Sequence, residues 1–105
     1  MGPSFFEEFF MSKISEAVEV LAKPVVEENG CTLYKVKYLK EGPEYYLRLF
    51  IEKDGGVGIE DCVVISHAMD PILDENESLF PNPYRFEVCS SGEEKERDAK
   101  NRKEV

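Results

Sequence analysis

Tyr84-Arg85-Phe86-Glu87-Val88-Cys89-Ser90-Ser91-Gly92 decides how this chain is read. Tyr84, Phe86 and Val88 fall on one side of an alternating run and Arg85 and Glu87 on the other, the pattern of a half-buried strand. Ser90-Ser91-Gly92 then turns. Residues 93–105 offer no apolar side chain except Ala99 and Val105. The strand is therefore predicted to close a folded unit, and everything that covers it must come from upstream.

Upstream, Ser12 to Asn29 has a helical period. Ile14, Ala17, Val18, Leu21 and Val25 recur at three- and four-residue steps, with Glu16, Glu19, Lys23, Glu27 and Glu28 around the other side. Asn29-Gly30 supplies a stop, and Pro24 predicts a kink or a break into two helices. Thr32 to Leu39 and Tyr45 to Glu52 both alternate. Tyr34, Val36 and Tyr38 share one face of the first; Leu47, Leu49 and Ile51 share one face of the second. The turn Glu41-Gly42-Pro43-Glu44 between them predicts an antiparallel hairpin. After Asp54-Gly55-Gly56-Val57-Gly58 a second helix is predicted from Ile59 to about Asp74. Cys62, Ile65, Met69, Ile72 and Leu73 form its apolar stripe, Glu60 and Asp61 its acidic first turn, and Pro71 threatens its last turn. Leu79 and Phe80 are expected to plug the core from the loop before the closing strand.

Helix, strand, strand, helix, strand implies an α+β fold: a two-layer αββαβ sandwich with two helices on one face of a three-stranded sheet. The expected organisation is an N-terminal extension over residues 1–11, a domain over 12–92 and a charged tail over 93–105. In the extension, Ser4 and Glu7 suit a capping box, and Phe5, Phe6, Phe9 and Phe10 would share one helical face. That face needs cover from the chain's own core, a neighbouring molecule or a second copy. The tail suits either a solvated helix with pairs such as Glu96 with Lys100, or disorder.

The net charge is −9. The tail holds five acids and five bases, so residues 1–92 carry all of the surplus, 17 acids against 8 bases. Such a body grips phosphate poorly and suits a basic protein partner, unless the acid serves solubility alone. No apolar run reaches membrane-spanning length and no secretory leader opens the chain. Cys31, Cys62 and Cys89 are scattered one to an element, as packing thiols of a reduced, cytoplasmic protein would be. His67 is the lone histidine and has no ligand-spaced neighbours, so no metal is expected. No nucleophile with its base, Walker loop or dinucleotide fingerprint is present, so neither an enzyme nor a bound cofactor is expected. Gly55-Gly56-Val57-Gly58 spells the G-x-x-G of KH domains, but it follows a strand and lies among Asp54, Glu60 and Asp61. A KH-like RNA contact through that loop is the weaker alternative.

Four segments, in order and at matching spacing, resemble the N-terminal domain of the RimP family of ribosome maturation factors. They are Lys23-Pro24-Val25-Val26-Glu27-Glu28-Asn29-Gly30; Leu47 to Lys53 with Gly55-Gly56-Val57; Ile59-Glu60-Asp61-Cys62 through Ser66 with Leu73-Asp74; and Pro83 to Ser90. The resemblance implies a cytoplasmic, non-catalytic factor that helps assemble the small ribosomal subunit by binding the immature subunit or a basic ribosomal protein. Candidate partner contacts are Glu60, Asp61, Ser90, Ser91 and Gly92. Two features depart from the family. Ser91 and Glu93 replace a proline and an apolar residue, and a charged tail stands where the family continues into a small β-barrel.

Overall fold

The computed structural model describes the backbone of residues 5–92 and 94–96, and the side chains of those from Phe9 onward. The Ser4–Glu7 capping box, the faces of Phe5 and Phe6, and the Glu96–Lys100 pair lie outside the described residues.

Five main elements follow in the predicted order: α1 (Phe5–Glu28), β1 (Thr32–Glu41), β2 (Glu44–Glu52), α2 (Ile59–Glu75) and β3 (Tyr84–Ser90), with a short 3-10 turn at Glu77–Leu79. Extension and first helix are one continuous α1, and Pro24 does not break it. The reason is where Pro24 points. Proline removes the hydrogen bond to the carbonyl four residues back, here that of Val20. Pro24 and Val20 both face solvent, Val20 at 74% exposure, so the freed carbonyl can be hydrated. Pro71 and His67 repeat the arrangement on α2. Both helices end on an asparagine whose side-chain amide donates to a last-turn carbonyl: Asn29 to Val25 and Asn76 to Ile72, each at 2.8 Å. Gly30 then takes the left-handed conformation (φ 79°) that turns the chain into β1.

The sheet order is β1-β2-β3. β1 and β2 form the expected antiparallel hairpin, and β3 lies parallel to β2, with Phe86 opposite Leu47 and Val88 opposite Leu49. α2 is thus the crossover of a β2–α2–β3 unit. One sheet face meets both helices in a single core: Val36, Tyr38, Leu47, Leu49 and Ile51 from the sheet, Ile14, Val18, Ala22, Val25 and Val26 from α1, and Ile65, Met69 and Leu73 from α2, with Phe80 as plug. The stripe on α1 is rotated slightly from the predicted one, because Ala22 and Val26 are buried while Ala17 and Leu21 are only partly so.

A register shift in β1 alters one assignment. Leu33 pairs with Ile51 and Lys35 with Phe50, leaving Tyr34 as the extra residue of a bulge. Leu33 therefore packs on the core in place of Tyr34. Tyr34 instead lies beneath the ammonium groups of Lys35 and Lys95, 5.9 and 5.3 Å from its ring centre.

Candidate functional site

Charge is divided between the two layers. On the open sheet face, bases and acids of neighbouring strands pair off. Arg48 is held at 2.8 Å by both Glu41 and Glu87. Arg85 meets Glu44 at 3.3 Å, and Lys95 meets Glu52. Lys37 pairs with Glu94, which Lys35 also approaches at 3.6 Å. The Glu94 carboxylate is only 2% exposed, because the turn after Ser91 lies across this face. The Ser91 amide donates to the Ile51 carbonyl at 2.9 Å, extending the parallel ladder, and the Lys95 amide donates back to Ser91 at 2.9 Å. Sequence reasoning missed Glu94. A buried carboxylate inside a charged run has no periodic signature.

The helical layer is different. Among the described residues its ion pairs are Lys13–Glu16, on the surface, and Lys53–Asp61. Neither helix has a basic residue in its last turn, although Glu27 and Glu28 end α1 and Asp74 and Glu75 end α2. Carboxylates at the negative end of a helix dipole are unfavourable, as are like charges four residues apart such as Asp70 and Asp74. Beside that end of α2 lies an aromatic cluster. Tyr38 stacks on Tyr45 with ring centres 5.7 Å apart, and Phe80 bridges Tyr38 (5.7 Å) and Tyr84 (4.2 Å). Burial first, then the charges of Asp74, Asp70 and Glu77, push the Tyr84 phenol above its ordinary pKa.

The predicted contact residues gather at the opposite end of the sheet, around the C-terminus of β2. Asp61 Oδ2 accepts the Gly58 amide at 2.9 Å and its Oδ1 accepts Lys53 Nζ at 3.0 Å, so its carboxyl sits below the usual aspartate range. Ser91 Oγ donates to Glu52 at 3.4 Å, and Ser90 Oγ accepts the Gly92 amide at 3.4 Å. Glu60, Ser90 and Gly92 are exposed, whereas Ser91 is buried. In the glycine loop, Gly55 and Gly56 adopt positive φ. The Gly58 amide, which a phosphate clamp would need, is occupied by Asp61 of the same chain. Burial raises the thiol pKa values of Cys31 and Cys62, so both stay protonated and weakly nucleophilic. Among the described residues no group of three His, Cys, Asp or Glu side chains is placed to hold a metal, and no helix is long and apolar enough to cross a membrane.

Fold and charge together define a class: a small αββαβ domain with a self-neutralised sheet face and a helical layer whose terminal carboxylates have no ion-pair partner among the described residues. The family model of the RimP N-terminal domain matches residues 21–94. The chain belongs to that family, one of ribosome maturation factors. The match runs from the middle of α1 through the whole sheet and ends on Glu94, the carboxylate that closes the sheet face.

Proposed function

We propose that this chain is a non-catalytic docking domain in maturation of the small ribosomal subunit. Its acidic helical layer binds a basic ribosomal protein, free or on the nascent subunit, in the cytoplasm. The observation that carries the reading is the division of charge. Sheet-face carboxylates are matched by bases of the strands and of the turn after Ser91, while those at the helix ends have no ion-pair partner among the described residues. Surplus charge of one sign, held where it costs stability, suits an oppositely charged partner. Glu60 is retained as a contact, together with Ser90 and Gly92 at the exposed corner. Asp61 and Ser91 lie beneath them, Ser91 buried and Asp61 engaged by the Gly58 amide and Lys53.

The test is capture of small-subunit proteins on the immobilised chain at low and high salt. Retention of basic proteins at about 50 mM salt and release at about 500 mM is expected, because screening shortens from roughly 14 to 4 Å over that range. No capture at low salt, or capture indifferent to salt, would overturn the reading.

A further inference from the structure

Resting on that reading, we propose that the groove between the C-terminal end of α2 and the entrance to β3 is the partner's anchor point and takes one of its arginine side chains. The groove has a volume of about 530 Å³, and its walls include Leu73, Asp74, Glu77, Phe80, Asn82 and Tyr84. Among the described residues no basic one lines it. It therefore joins aromatic faces to carboxylates that have no ion-pair partner among the described residues.

A second feature of the same corner is independent of the acids. The Tyr38 hydroxyl is buried and has no hydrogen-bond partner among the described residues. Tyr38 does not itself line the groove, but its ring packs at 5.7 Å on Phe80, which does. Buried polar atoms are nearly always satisfied, and exceptions concentrate where a ligand or functional role supplies the reason. The Phe80–Tyr84 ring pair places π faces beside Asp74 and Glu77. A guanidinium meets both needs at once, because it is flat enough to stack on a ring and its forked N–H groups fit carboxylates in pairs. An ammonium satisfies the charge but stacks poorly. The acidic end of α1, Glu27 and Glu28, does not line the groove.

The experiment titrates the isotope-labelled full chain with the blocked tripeptide acetyl-Gly-Arg-Gly-amide, and with its lysine and glutamine counterparts, by amide chemical shifts. Saturable shifts confined to Asp74, Glu77, Phe80, Tyr84 and their neighbours are expected, stronger for arginine than for lysine and absent for glutamine. The double variant Asp74→Asn/Glu77→Gln should weaken arginine-peptide binding on the order of tenfold, as loss of an anchor does. Glu27→Gln/Glu28→Gln removes equal charge from the other acidic helix end, which does not line the groove, and should weaken it by less than about twofold. No shifts, shifts spread equally over both helix ends, or equal loss in both double variants would overturn the groove. Capture of small-subunit proteins separates the two readings. If both double variants capture them equally well, the groove fails while the acidic layer stands. If the chain captures none yet the arginine peptide saturates the groove, the ribosomal reading fails and the groove stands.

Discussion

Tyr38 shows how one atom can work against the fold that contains it. Its ring is stacked and 5% exposed, and its amide donates to Ser15 Oγ at 3.1 Å, tying β1 to α1. Its hydroxyl has no hydrogen-bond partner among the described residues. An unsatisfied buried hydroxyl costs about 1–3 kcal/mol, so Tyr38→Phe should raise stability by about 1 kcal/mol, read as a higher urea midpoint at unchanged slope. Asp61 works the other way. Hydrogen bonds from the Gly58 amide foremost, and then from Lys53, depress its folded pKa. A depressed carboxyl contributes stability that is present above the unfolded value of about 3.9 and is lost as pH falls through the lower folded pKa. Asp61→Asn should therefore unfold more easily than the parent at pH 7, and the gap should narrow as pH drops below about 4. A gap that persists unchanged at pH 2 would assign the loss to helix geometry instead of charge.

At the level of elements, periodicity in the sequence was sufficient for both helices, the hairpin and the closing strand, because each has a long, regular apolar stripe. It was insufficient for Pro24, whose effect depends on which way the freed carbonyl faces. It was also insufficient for Tyr34, since a one-residue bulge reverses the side of the sheet without disturbing composition. The position of β3 was not legible either. Alternation says that Phe86 and Val88 face the core, but it does not say whether they lie beside β1 or β2. The groove was hidden for a similar reason: Asp74 reads as a helix end, Glu77 as loop and Tyr84 as core, and only the crossover of α2 brings them together. Since Pro24 is tolerated only because its neighbourhood is solvated, Pro24→Ala should restore a helix bond and extend α1 without clash. A gain of about 1–3 kcal/mol in urea unfolding is expected. No gain would mean that the Val20 carbonyl is already satisfied by other means.

Across the whole molecule, the two layers carry their charges for different ends, and that separation can be tested in a crossed design. The sheet-face pairs stabilise the fold. Removing Glu94 takes away the buried carboxylate that Lys37 pairs with and that Lys35 approaches at 3.6 Å. Glu94→Ala should therefore lose about 1–3 kcal/mol, at the low end for a buried charge because the two lysines remain partly solvated. It should still capture basic small-subunit proteins, since the helical layer is untouched. The helix-end acids make the opposite trade. Asp70→Asn with Asp74→Asn removes two like charges from the negative end of α2 and should stabilise the chain by about 0.3–1 kcal/mol, while capture weakens. Urea midpoints and salt-dependent capture on the same four proteins (parent, the Glu94 variant, the Asp70/Asp74 variant and the combination) decide the matter. If the losses in stability and capture travel together through all three variants, charge on this domain acts as one pool and the division between layers has no functional meaning. If they separate, the acids of α2 are held against the preference of the helix that carries them, and a cationic partner is the physical reason for keeping them there.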